Sequence, residues 1–148
     1  MLRKGAAAPD FTLPDQQGRD IALRDLLARG PLVLFFYPGD FTPVCTREVC
    51  MVRDLHTELA AAGVTVAGVS PDDSATHEQF RERHRLPFTL LADPDKRVIR
   101  AYGVDGPLGF GVRRATFLID RDRTILDVLA AALSVRKHEA FMRRAMGR

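Results

Sequence analysis

A continuous apolar run, LVLFFY at Leu32–Tyr37, predicts a β-strand that is covered on both faces. Two more apolar runs, VTVAGVS and FTLLAD, follow it, and amphipathic patterns of helical spacing fill the intervals between them. Strands that alternate with helices favour a parallel arrangement with right-handed crossovers. The chain is therefore expected to build its core around a buried, mainly parallel sheet.

Further elements are expected on either side of this core. Near the N-terminus, DFTLPDQQGRDIAL predicts a hairpin around the turn QQGR, followed by a short helix that ends at Gly30. Near the C-terminus, ATFLID and TILDVLA around the turn RDR predict an antiparallel hairpin, followed by a terminal helix from Leu133 onward. We therefore predict an α/β, thioredoxin-like fold with a mixed central sheet, helices on both faces and an N-terminal hairpin.

Size and charge narrow the possible classes of protein. With 148 residues, 46 % of them hydrophobic, residues 1–148 are expected to form a single domain. The 22 Lys and Arg are spread among 19 Asp and Glu, so we expect no nucleic-acid or membrane partner. The sequence has no apolar run of bilayer length and no secretory signal at its start, and we expect a cytoplasmic protein.

Cys45 follows a Pro-Gly-Asp loop at the end of the strand LVLFFY. Thr42 is a good N-cap and Pro43 suits the first helical position, so Cys45 is expected in the first turn of a helix. Unpaired N–H groups and the helix dipole favour a negative charge there, and the thiolate is the reactive form of cysteine. Residue type alone favours a small buried hydrophobe, whereas this position favours a nucleophile.

Cys50 is the second of the two cysteines, five residues further along the same predicted helix. An ideal helix would separate the Cα atoms of Cys45 and Cys50 by about 8.6 Å, beyond the usual limit of about 7 Å for a disulfide. A bond between them therefore requires the first turns of the helix to unwind. Taken alone, Cys50 fits equally well a residue on a partly buried helical face.

The sequence YPGDFTPVCTREVC resembles a known family. Pro38 to Cys45 fits the P-x-x-x-T-x-x-C signature of peroxiredoxins, and a second cysteine five positions on is similar to the Q-type, or bacterioferritin-comigratory-protein, subfamily. The resemblance extends to the N-terminal APDFTLPDQQG and to RRATFLID, so it covers most of the chain.

This resemblance implies a thiol peroxidase that reduces hydrogen peroxide and organic hydroperoxides. Cys45 would be the peroxidatic cysteine, and Cys50 would resolve its sulfenic acid to an intrachain disulfide that thioredoxin or a similar dithiol reduces. Thr42 would hydrogen-bond the peroxide and the thiolate, Pro38 would shield the sulfur from water, and Arg114 would match the arginine of the family's R-x-[ST]-F motif. The family also implies a monomer or a weak homodimer.

Arg114 makes physical sense beside a thiolate, because its guanidinium favours the charged sulfur and offers donors to the leaving oxygen. Neighbouring residues of a strand point to opposite faces, so Arg113 is expected in solvent. Glu48 fits the subfamily pattern C-T-x-E. It could orient Arg114, or it could be an ordinary acidic residue in a first helical turn.

Other classes of function have weaker support in the sequence. The four histidines do not lie at metal-ligand spacing from the cysteines, and GPLGFGV lacks the context of a nucleotide fingerprint, so neither a metal nor a cofactor is expected. The sequence has no C-x-x-C motif, which argues against an ordinary disulfide reductase. The main alternative is a redox-sensing binding protein that the same disulfide would switch.

Overall fold

A computed structural model describes residues 1–147 of the chain, and its secondary structure alternates as the apolar runs predict. The strands are β1 Thr12–Pro14, β2 Asp20–Ala22, β3 Leu32–Phe36, β4 Thr65–Ser70, β5 Thr89–Ala92, β6 Ala115–Ile119 and β7 Ile125–Ala130. The helices are α1 Leu23–Leu26, α2 Pro43–Ala61, α3 Ser74–His84, α4 Arg97–Ala101 and α5 Val135–Met146, and a single 3₁₀ turn covers Pro107–Gly109.

The central sheet has five strands in the order β5-β4-β3-β6-β7. Strands β3, β4 and β5 run parallel, whereas β6 is antiparallel to both β3 and β7. In the register of β3 with β6, Phe36 lies opposite Ala115 and Leu32 lies opposite Ile119. The first residues of β6 therefore lie beside the carboxyl end of β3.

The middle strand β3 is buried on both faces of the sheet. Leu32, Leu34 and Phe36 belong to the core cluster that includes residues of α1 and α4, whereas Val33 and Phe35 belong to the cluster formed with α2 and α5. Alternating side chains of one strand thus fill two separate cores, as expected for a strand with helices on both sides.

Helix α2 begins where the sequence predicts, directly after the loop that follows β3, and it packs on one face of the sheet. Thr42 precedes it in an extended conformation, and Pro43 occupies its first turn. Val49, Val52, Leu55 and Leu59 recur at helical spacing and are all buried. Burial of this stripe fixes the rotation of α2 about its axis, and with it the direction of the side chains in the first turn.

The fold class predicted from the sequence is confirmed, including the N-terminal hairpin, in which β1 and β2 are antiparallel. One boundary prediction was wrong, because α1 ends at Leu26 rather than near Gly30. Pro31 disfavours a helical conformation for Gly30, and the backbone of Gly30 approaches Gly63 too closely for a side chain. Within residues 1–147, no helix is both long and apolar enough to cross a lipid bilayer.

Candidate active site

The thiol of Cys45 is buried in the first turn of α2, with 1 % of the residue exposed. The N–H of Thr46 donates to the Thr42 carbonyl at 2.8 Å, so Cys45 lies inside the first hydrogen-bonded turn of the helix. The N–H groups of this turn point out of the helix, where they favour a negative charge. Both cysteines are free thiols.

Arg114 joins three groups around this thiol. Its Nη2 donates to Cys45 Sγ at 3.1 Å, its Nη1 to Glu48 Oε1 at 2.5 Å and its Nε to the Ala132 carbonyl at 2.9 Å. Arg114 is buried, whereas the neighbouring Arg113 is exposed, as the alternation of a strand predicts. The guanidinium is thus fixed on both sides and presents one edge to the sulfur.

Glu48 lies one turn after Cys45 and is fully buried, so the interpretation that it orients Arg114 agrees with its position. Its Oε2 has no hydrogen-bond partner among the described residues. Burial raises the pKa of Glu48 from 4.5 to about 7, although the charge of Arg114 and its hydrogen bond oppose the rise. The carboxyl group therefore changes its charge close to neutral pH.

This position of Glu48 predicts a stability that depends on pH. Between pH 4.5 and 7 the folded protein holds a proton that the unfolded chain releases, so the free energy of unfolding falls as the pH rises through that window. In Glu48→Gln this fall should be smaller by up to about 3 kcal/mol. Urea denaturation of the reduced protein at pH 5, 6, 7 and 8 measures it.

A matched control for this experiment is Glu58→Gln, on the same helix, because the Glu58 side chain is largely exposed. It should reproduce the pH profile of the parent protein. Equal falls in stability for the parent protein and for Glu48→Gln would contradict the assignment of the titration to Glu48.

His138 of α5 completes the buried polar cluster, although no motif in the sequence marks it as a site residue. Its Nε2 lies 2.9 Å from the Ala131 carbonyl and therefore carries the proton, and its Nδ1 accepts a hydrogen bond from the Thr116 hydroxyl at 2.8 Å. Burial lowers the pKa of His138, as does the charge of Arg114. A neutral ring thus lies 3.8 Å from the free oxygen of Glu48.

Thr42 lies at the N-cap position, but the expectation that its side chain caps the helix was wrong. The hydroxyl donates instead to the Gly39 carbonyl at 2.9 Å, a local bond that competes with capping. Thr42 therefore stabilises the loop before the helix.

Pro38 lines a cleft of about 510 Å³ whose lining also includes Arg113 and Arg114. The other lining residues are mostly apolar or glycine: Gly106, Pro107, Phe110, Gly111, Val112, Ala130, Ala131 and Ala132. Since Nη2 of Arg114 donates to Cys45, the guanidinium connects this cleft to the buried thiol.

Cys50 is half-buried on the same unbroken helix, where ideal geometry places its Cα about 8.6 Å from that of Cys45. Its Sγ lies 3.9 Å from Nδ1 of His84, the last residue of α3. The structure thus places Cys50 against α3 and beside His84, which no motif in the sequence marks as a site residue.

A second buried network holds the loop that enters α2. Asp40 accepts a hydrogen bond from the Tyr37 hydroxyl at 2.6 Å, and its other carboxylate oxygen lies 2.6 Å from Nδ1 of His77. Nε2 of His77 lies 3.0 Å from the Leu91 carbonyl. The N–H of Asp40 donates to Asp72 at 2.7 Å. The ligand atoms of Asp40, Asp72 and His77 lie within 4.8 Å of one another, a spacing that could hold a metal ion, but these hydrogen bonds already explain their arrangement.

Comparisons with known proteins agree with this geometry. The sequence profile of the AhpC/TSA family matches residues 4–128. Peroxiredoxin Q of Oryza sativa subsp. japonica, a chloroplastic protein, is 40 % identical over 139 residues, which are 93 % of this chain and 63 % of the relative. The chain thus spans less than two thirds of the length of that curated relative.

Two solved structures have the same fold. The peroxidoxin BcpB from Mycobacterium tuberculosis superposes with a TM-score of 0.93 and 39 % identity, over 99 % of this chain and 97 % of that protein. A bacterioferritin comigratory protein of Xanthomonas campestris, studied for its alkyl peroxide reduction activity, gives a TM-score of 0.84 and 28 % identity, over 93 % and 90 % of the two chains.

Proposed function

Because the chain belongs to the AhpC/TSA family, among peroxiredoxins of the Q, or bacterioferritin-comigratory-protein, type, we propose that it is a thiol peroxidase. It reduces hydrogen peroxide and organic hydroperoxides to water or alcohols. The observation that carries this proposal is the 3.1 Å contact between Arg114 Nη2 and Cys45 Sγ at the start of α2.

In the first step, the thiolate of Cys45 attacks one oxygen of the peroxide and the O–O bond breaks. The sulfur becomes a sulfenic acid, and the other oxygen leaves as water or an alcohol after it gains a proton. Arg114 stabilises the thiolate and then the negative charge on the leaving oxygen. The Thr42 hydroxyl donates its proton to the Gly39 carbonyl and accepts a hydrogen bond from the peroxide through its oxygen, and Pro38 keeps water from the sulfur.

The cleft lined by Pro38 and Arg114 is the reason to include organic hydroperoxides among the proposed substrates. Small-molecule sites are mostly apolar, with a few polar groups that orient the ligand. Phe110 and the alanines of the cleft supply the apolar part, and Arg114 supplies the polar group next to the thiol. An alkyl tail in the cleft would thus leave the peroxide group near Cys45.

In the second step, Cys50 resolves the sulfenic acid of Cys45 to an intrachain disulfide, which makes the protein an atypical two-cysteine peroxiredoxin. The separation along α2 means that the first turns of the helix must open before the sulfurs meet. Thioredoxin or a similar dithiol then restores both thiols. We propose this cycle for residues 1–148 as one domain, monomeric or weakly dimeric, in the reducing cytoplasm.

Mass spectrometry after one equivalent of hydrogen peroxide tests the cycle. The reduced parent protein should lose 2 hydrogens and yield a peptide pair linked through Cys45 and Cys50. Cys50→Ser should instead form a dimedone adduct at Cys45. With thioredoxin, its reductase and NADPH, the parent protein should consume peroxide over many turnovers.

Other outcomes would contradict the proposal. A parent protein that oxidises once and is then recycled too slowly for turnover would favour the redox-sensing binding protein. A disulfide between two chains, without a linked Cys45–Cys50 peptide, would exclude the intrachain mechanism.

A further inference from the structure

The ring of His84 contacts the thiol of Cys50. Nδ1 of His84 lies 3.9 Å from Cys50 Sγ, within the range of a hydrogen bond to sulfur. The two residues lie on different helices, α2 and α3, so the pairing is a product of the fold. A histidine at this distance can accept the proton of a thiol.

Packing holds the His84 ring in place while the start of α2 moves. The ring lies edge-on to Phe80, with centroids 5.0 Å apart, and Phe80 is fully buried. The carbonyl of His84 accepts a hydrogen bond from Nη1 of Arg53 at 2.9 Å, which ties the end of α3 to the middle of α2. Since Cys50 lies two turns inside α2, opening of the first turn can leave the contact of Cys50 with His84 intact.

The charges around the ring keep it neutral. Partial burial lowers the pKa of His84 below 6.5, and the positive charges of Arg83 and Arg53 lower it further. Arg47 and Arg53 lie three residues before and after Cys50, and Asp54 pairs with Arg53. Arginine side chains keep their charge over the pH range of the test below. At neutral pH the ring is therefore a proton acceptor beside the thiol.

We propose that His84 is the general base that activates Cys50 in the resolving step, an inference that rests on the function proposed above. Nδ1 takes the proton of the Cys50 thiol, and the thiolate attacks the sulfur of the Cys45 sulfenic acid. The S–S bond forms as the S–O bond breaks, and the leaving hydroxide takes the proton from the imidazolium. One thiol and one sulfenic acid thus give one disulfide and one water, with no further oxidant or reductant.

Rapid-quench mass spectrometry of His84→Gln, after mixing with hydrogen peroxide, separates the two steps. An ordinary cysteine thiol is only a few per cent ionised at pH 7, so loss of the base should slow disulfide formation by about 10- to 30-fold. Formation of the Cys45 sulfenic acid, detected by its dimedone adduct, should keep its rate. At about pH 9.5 the difference from the parent should vanish, because an ordinary thiol then ionises without a base.

His56→Gln is the matched control, since His56 is also half-buried on α2, has a pKa lowered by burial and packs against Phe88. It should resolve its sulfenic acid at the parent rate. Disulfide formation in His84→Gln at the parent rate at pH 7, or equally slow at pH 7 and 9.5, would overturn the proposal. Absence of a Cys45 sulfenic acid in Cys50→Ser, where Cys50 cannot resolve it, would overturn the proposed peroxidase function and, with it, this inference.

Discussion

Cys45→Ser should lose peroxide turnover by more than about 10⁴-fold, the scale expected when an enzyme loses its nucleophile. The substitution preserves size at a fully buried position of the first turn, and Arg114 keeps Glu48 and the Ala132 carbonyl as partners. A serine hydroxyl is not ionised near neutral pH, and the described contacts of Cys45 offer no base to ionise it. NADPH oxidation coupled through thioredoxin and its reductase measures the loss.

Cys50→Ser is the comparison variant: it keeps the nucleophile Cys45 but cannot form the disulfide through which the protein is recycled. It should react with the first equivalent of peroxide at the parent rate and then require an external thiol for each later cycle. Thermal unfolding should show that Cys45→Ser remains folded. Peroxide consumption by Cys45→Ser within tenfold of the parent rate would remove Cys45 from the mechanism.

Arg114→Lys should slow the reaction of the thiol with peroxide by about 10²- to 10³-fold, the effect of removing one well-placed donor to developing negative charge. A lysine ammonium is a point charge and cannot reach Cys45 Sγ, Glu48 and the Ala132 carbonyl in the fixed fork of a guanidinium. The charge stays positive, so the substitution tests geometry rather than net charge. Competition with a peroxidase of known rate measures this step alone.

The sequence supplies a matched control in the adjacent residue. Arg113→Lys makes the same chemical change at an exposed position on the rim of the cleft, and it should change the rate by less than about twofold. Equal losses at the two positions would mean that any guanidinium group lining the cleft serves equally, rather than the one in contact with Cys45.

Local patterns predicted the elements that position the thiol. The run LVLFFY became β3, the Thr-Pro pair marked the start of α2, and strand alternation separated Arg114 from Arg113. Each prediction used residues close together in the chain, where helix and strand periodicity fix direction. The hydrogen bond of the Thr42 hydroxyl was not predicted. The hydroxyl can either cap the helix or donate to the Gly39 carbonyl, and the conformation of the loop favours the second.

The partners of the histidines could not be predicted from local sequence patterns. His77 reaches Asp40 across 37 residues, and His84 reaches Cys50 across 34. His138 joins Thr116 across 22 residues, through the packing of α5 on the sheet. These pairs form only when helices dock on loops, strands or other helices that are distant in the sequence, and residue spacing does not predict which elements dock. His138 gave a signal, because it lies three and four residues before the buried Phe141 and Met142 on one helical face. His77 and His84 gave none, since the sequence around them, SATHEQFRERH, is mostly polar.

The antiparallel pairing of β6 with β3 also sets the time at which this protein acquires its reactivity during synthesis. Cys45 and Arg114 are 69 residues apart, and the register that places Ala115 opposite Phe36 brings them together. A nascent chain that ends before Arg114 has the thiol and the start of α2 but no guanidinium beside them. The contact is long-range, so it forms late in folding. Unfinished chains on the ribosome should therefore be less reactive toward peroxide than the folded protein.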